Sequence, residues 1–114
     1  MTSDDSAAEG RRRADEFLTL LAAEDPAADA LLEELTEIRE LVFLGAGLTA
    51  VARAEGRALP TAQRAQASTR QVNLGQLRDR NRADVAGLRT WLRRSGEEVL
   101  FIRSLHAAAA RATG

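Results

Sequence analysis

The chain has 114 residues, no cysteine and a formal net charge of −1, and its length is that of one domain. The absence of cysteine excludes disulfide bonds, a thiolate nucleophile and cysteine-ligated zinc, and it fits a cytoplasmic location. Residues 1–40 carry twelve acids and four arginines, whereas residues 41–114 carry five acids and twelve arginines. Two such halves can attract each other, or the basic half can meet an acidic partner.

Helix-favouring residues dominate the composition and β-branched residues are few, so we predict an all-α fold of about four helices in one bundle. Residues 1–10 are small, acidic and polar, and we expect a disordered tail there before a helical domain over 11–114. The longest uncharged stretch, 41–52, is too short for a membrane span, which needs about twenty residues. We therefore expect no membrane association, and we expect no secretory signal because the N-terminus, which starts Met-Thr-Ser-Asp-Asp, has no apolar segment.

The first two helices are predicted over about 11–24 and 26–55. Asp25 and Pro26 mark a restart between them, since Asp caps helices and Pro suits the first helical position. The second helix has an apolar stripe at helical spacing with acids opposite; the stripe comprises Leu31, Leu35, Ile38 and Val42. Its centre, 41–48, is apolar all round and should be covered on several sides.

The second half of the chain is predicted to hold two more helices, over about 70–94 and 97–111. The stretch 57–73 has few large apolar anchors and is left unassigned between helix and loop. Ser95 and Glu98 have the spacing of a capping box, which predicts the start of the last helix. From the apolar faces we expect five residues to be buried: Leu35, Ile38, Val42, Leu88 and Ile102.

Four arginines on one side of the third helix, next to Trp91 in its apolar seam, are the candidate partner-binding residues: Arg78, Arg82, Arg89 and Arg93. They either pair with the acids of the second helix inside the fold or bind phosphate or an acidic protein, because arginine presents a planar fork of donors. Asn81 and Asp84 interrupt the same seam. We expect them to fix helix register or to form an internal hydrogen bond, with the lining of a small pocket as the alternative.

No catalytic, cofactor or metal site is predicted. His106 is the only histidine, and no acid lies at a helical ligand spacing from it. A structural role is therefore favoured over a base, a metal ligand or a pH switch. The sequence also lacks a phosphate-binding glycine loop.

Residues 62–78 loosely resemble a helix-turn-helix motif. Ala62, Ser68 and Val72 fall at suitable positions, but Gln66 stands where the turn favours glycine and Gly75 where a second apolar anchor is expected. The resemblance implies phosphate contacts from nearby arginines, namely Arg57, Arg64, Arg70 and Arg78. The acidic first forty residues weigh against nucleic acid.

The sequence therefore predicts a small non-catalytic helical protein that binds a partner or regulates it through helix-face packing. The expected partner is a protein, or a second copy in a homodimer. The alternative is a helix-turn-helix DNA-binding regulator centred on residues 62–78.

Overall fold

The computed structural model describes residues 3–113, which form five α-helices and no strand. The helices are α1 (Ser3–Ala22), α2 (Ala27–Glu34), α3 (Ile38–Arg57), α4 (Thr61–Arg80) and α5 (Val85–Thr113). The predicted all-α class is confirmed, with five helices instead of about four. None of the helices in this part of the chain is long and apolar enough to cross a membrane.

Helix α1 begins well before residue 11, within the region where we expected a disordered acidic tail. The reason lies at Gly10, which is buried against α3. A Cβ at this position would lie only 2.6 Å from the backbone oxygen of Phe43. Glycine thus lets α1 approach α3 closely, and the contact extends the helical region toward the N-terminus. Residues 1 and 2 lie outside the described residues.

The turn between α1 and α2 matches the predicted restart at residues 25–26. Glu24 has a positive φ of 56°, the left-handed conformation that commonly ends a helix. The Glu24 amide donates to the Leu21 carbonyl and the Asp25 amide to the Leu20 carbonyl, both at 3.0 Å. The Asp25 carboxylate accepts from the Ala27 amide at 2.9 Å, which satisfies a free donor at the start of α2.

The single helix predicted over 26–55 is wrong, because the chain breaks at residues 35–37. Leu35 adopts an extended conformation, and Glu37 and Glu40 form a reciprocal capping box at the start of α3. The rotation at this break moves Ile38 and Val42 out of the core, with 38% and 43% of their surfaces exposed. Our prediction that these two residues are buried is wrong, whereas Leu35 is buried as predicted.

The helix boundaries of the second half also differ from the prediction. The unassigned stretch 57–73 lies largely in α4, and the helix predicted over 70–94 is interrupted at residues 81–84. The restart predicted at residues 95–98 is absent, since α5 runs through it without a break. Ser95 and Glu98 are buried there, and a Cβ at Gly96 would lie 2.6 Å from the Phe17 ring. Packing against α1 thus holds this stretch in helix.

One hydrophobic core contains buried residues from all five helices. Its largest fully buried side chains include Leu88 and Ile102, as predicted, and several leucines of the apolar centre of α3. That centre is covered within the same chain, because α3 packs mainly against α1 and α5. Helix α4 is different: it contacts α5, touches α3 only slightly, and buries only Ala67 among its side chains. The weak contact between α3 and α4 leaves a groove between them.

Candidate functional site

The four arginines predicted to form one basic face do not share a helix. Arg78 lies on α4, Arg82 in the turn that follows, and Arg89 and Arg93 on α5. Arg89 donates to the backbone carbonyls of Leu32, Glu33 and Leu35, at 3.0, 3.1 and 2.9 Å. It therefore neutralises the carbonyl end of α2, where a cation is favourable.

The other three arginines of this set have carboxylate partners. Arg93 pairs with Asp29 on α2, which is the internal pairing between the basic and acidic helices that we considered from the sequence. Arg78 and Arg82 both contact Asp79, at 3.2 and 3.4 Å. The hydrogen bond from Arg78 lowers the pKa of the Asp79 carboxyl. Arg89 and Arg93 are thus engaged with α2, whereas Arg78 and Arg82 contact the exposed carboxylate of Asp79.

Asn81 and Asp84 do not lie in an apolar seam, which corrects their predicted placement. They belong to the turn between α4 and α5. The Asn81 side chain donates to the Leu77 carbonyl at 2.8 Å, and its backbone oxygen accepts from the Asp84 amide at 2.9 Å. The internal hydrogen bond that we expected for Asn81 is present, but its effect is to end α4.

A concave site lies in the groove between α3 and α4, which has a volume of about 690 Å³. Pockets that bind ligands commonly have volumes of about 300–1,000 Å³. Small or apolar residues form the floor of the α3–α4 groove, and they include Trp91 of α5. Hydroxyl and amide groups lie along its walls; they belong to Thr49, Thr61, Ser68 and Gln71.

The rim of the α3–α4 groove is basic. Four of its sixteen lining residues are arginines and none is acidic; the arginines are Arg53, Arg57, Arg64 and Arg78. Arg53, Arg57 and Arg64 form no ion pair with any residue from 8 to 112, the range whose side chains are described. The groove therefore combines apolar surface with guanidinium groups that remain available to an anionic partner.

Some of the residues that line this groove were already candidates from the sequence, for other reasons. Arg57, Arg64 and Arg78 belong to the set that the helix-turn-helix resemblance selected for anion contacts, and Trp91 was a candidate for burial against a partner. Arg53 was missed, although its spacing of four residues from Arg57 places both on one side of a helix. The helix-turn-helix itself is absent, since residues 62–78 lie in one uninterrupted helix.

Val72 and Gly75 of α4 give the groove an accessible apolar wall. Val72 is the most exposed large hydrophobic residue of the described chain, with 59% of its surface accessible. Gly75 is in the same wall, and apart from its chain neighbours and the adjacent helix backbone, no heavy atom of the described residues lies within 4 Å of a Cβ built on it. Val72 and Gly75 thus leave apolar side-chain surface and helix backbone open at this edge of the groove.

The remaining polar groups of interest are occupied elsewhere. Nε2 of His106 lies 2.7 Å from the Glu55 carbonyl oxygen, near the end of α3. Glu98 is buried and accepts from Arg70 at 2.6 Å, while its Oε1 atom has no hydrogen-bond partner. Arg70 also lies over the Phe101 ring, 4.0 Å from its centre. In the part of the chain that the structure describes, no three metal-ligating side chains are grouped.

The chain matches no protein-family model, no curated protein and no solved structure.

Proposed function

We propose that this protein is a small non-catalytic partner-binding or regulatory protein, and that its partner packs into the α3–α4 groove. The observation that supports this proposal is the combination, in a single groove, of an apolar floor, an exposed apolar wall and three arginines that form no ion pair with the described side chains. Amphipathic partners commonly bind to such surfaces, with apolar anchors at the centre and charged pairs at the rim.

The composition of the groove favours binding over catalysis. Its lining contains hydroxyl, amide and guanidinium groups, but no histidine, cysteine or carboxylate. A general base or an activated nucleophile needs such a group within hydrogen-bond reach. His106 and Glu98 do not line the groove, and each contacts another group of the fold.

The proposal moves the partner surface away from the face that the sequence suggested. Arg89 and Arg93 hold α2 against α5, and Leu41, Leu44 and Leu48 are fully buried inside the chain. Two of the candidate residues from the sequence, Arg78 and Trp91, belong to the proposed site because both line the groove. A cytoplasmic location and self-association stay predictions.

Photocrosslinking at two exposed valines tests the proposal. A photoreactive residue such as benzoylphenylalanine replaces either Val72, which lines the groove, or the control Val42, which does not. In cells that make the protein naturally, we expect a discrete adduct from position 72 and none from position 42. The additional change Ser68→Trp, which fills the groove, should abolish the adduct.

The mass of the adduct distinguishes a second copy of this chain from another protein. Equal crosslinking at both valines would contradict the proposal, as would an adduct that persists when the groove is filled. No adduct at position 72 would also count against the groove as the partner surface.

A further inference from the structure

Gly75 differs from the other helical glycines of the described chain. A Cβ at Gly10, Gly45 or Gly96 would collide with Phe43, Trp91 or Phe17, respectively. At each of those positions, glycine allows a neighbouring element to pack directly on the helix backbone. Gly75 is the only helical glycine among the described residues with no such neighbour within 4 Å.

A glycine inside a helix weakens the helix relative to alanine, because it loses more conformational freedom on folding. Gly10, Gly45 and Gly96 offset this cost through close packing, whereas Gly75 has no packing partner among the described residues. Val72 is one helical turn away and is largely exposed. Together they form an apolar patch on which a large side chain of a partner can rest, as Trp91 does on Gly45.

We propose that the α3–α4 groove binds an acidic amphipathic helix, an inference that rests on the proposed function and adds the chemistry of the partner. The apolar face of that helix packs on Val72 and Gly75. Its flanking Asp or Glu side chains pair with Arg53 and Arg57 on one wall and Arg64 on the other. This arrangement is helix-in-groove recognition, in which the arginines select a partner helix that carries acidic side chains.

The charge of the rim selects against other occupants. A basic helix would face four guanidinium groups without an acid among the lining residues. A neutral helix would cover the arginines without supplying carboxylates, and buried charges without partners are unfavourable. Carboxylates on both flanks satisfy the forked guanidinium donors directly.

The length of the groove fits a partner helix of moderate size. Thr61 and Arg78, which line its two ends on α4, are seventeen residues apart. At a rise of about 1.5 Å per residue, this separation is about 25 Å, or about five turns of helix. A partner segment of similar length therefore covers the groove from end to end.

Trp91 provides the readout for a direct test, because it is the only tryptophan and lines the groove. The probes are designed helical peptides of about five turns without tryptophan, which share one leucine face and carry Glu, Gln or Lys on both flanks. Binding is measured from Trp91 fluorescence and by calorimetry at two salt concentrations. We expect the Glu peptide to bind at least about tenfold more tightly than the Gln peptide. The affinity of the Glu peptide should fall as the salt concentration rises. The Lys peptide should not bind.

Matched variants assign the interaction to the groove. Arg57→Glu combined with Arg64→Glu should abolish binding of the Glu peptide and permit binding of the Lys peptide. The control combines Arg94→Glu with Arg111→Glu, two exposed positions outside the groove, and should leave binding unchanged. Gly75→Leu should weaken the Glu peptide without removing any charge.

Each contrary result has a distinct meaning. Equal affinity for the Glu and Gln peptides would overturn the acidic helix while leaving the groove as a partner site. Tighter binding of a DNA duplex, lost in the Arg57/Arg64 variant, would overturn it in favour of nucleic acid. If no peptide binds but position 72 crosslinks a partner, the inferred chemistry is wrong and the proposed function stands; if position 72 also fails to crosslink, both are wrong.

Discussion

Gly45 and Gly75 show how one residue type has opposite consequences at two helical positions. We predict that Gly75→Ala stabilises the protein by about 1 kcal/mol, because alanine favours helix and its Cβ meets open space. Gly45→Ala should destabilise it by about 1–3 kcal/mol through overpacking. The new Cβ would collide with the Trp91 ring, which is only 3% exposed and has no room to move.

Denaturant unfolding of the two glycine variants measures both effects under the same conditions. The two changes add the same methyl group to the middle of a helix, so each serves as the control for the other. A loss of stability in Gly75→Ala would contradict the open space that the inferred helix occupies. The same variant should also bind the Glu peptide less tightly than the parent protein.

Two sequence patterns typical of a helix N-terminus behave differently in the structure: one begins a helix and the other lies inside one. Ser95 and Glu98 are favourable cap residues at the correct spacing, yet α5 continues through them. The helix continues because Glu98 binds Arg70 and α1 packs on Gly96. Glu37 and Glu40 form a real cap, although Glu is not among the favoured N-cap residues. The class of fold followed from composition and spacing, whereas the breaks depended on contacts distant in sequence.

Arg89 holds the end of α2 at the break between α2 and α3. Arg89→Ala should destabilise the fold by about 1.5–3 kcal/mol, the range for hydrogen bonds that involve a charged group. The carbonyls of Leu32, Glu33 and Leu35 lose their donor. Arg89→Lys should recover only part of this loss, since an ammonium group does not present the planar fork.

Denaturant unfolding, with Arg94→Ala as the control, checks the role of Arg89. Arg94 is exposed, and surface substitutions of this kind usually change stability by less than about 0.5 kcal/mol. Equal effects of the two alanine variants would show that the Arg89 contacts do not hold the end of α2.

At the scale of the whole molecule, the division of charge along the chain is only partly neutralised by folding. The ion pair of Arg93 with Asp29 joins the basic half to the acidic half, whereas Arg53, Arg57 and Arg64 of the α3–α4 groove form no ion pair with the side chains that the structure describes. The sequence revealed the charge division and several of these arginines. It did not reveal the groove, because the small contact between α3 and α4 results from how α4 packs on α5.

The core of one chain is complete without a second copy, which separates folding from self-association. From the sequence, the apolar centre of α3 suggested that a second copy is needed to cover it. In the structure, Leu41, Leu44 and Leu48 are fully buried by the same chain, so the fold should not depend on an oligomer.

We expect a melting temperature that stays constant over about a hundredfold range of protein concentration, since only binding to the native state makes it concentration-dependent. Gly75→Leu should show the same constancy, because it changes the groove and not the core. Sedimentation of the same samples reports any homodimer, and a melting temperature that rises with concentration in both proteins would mean that a second copy stabilises the fold through a surface other than the groove.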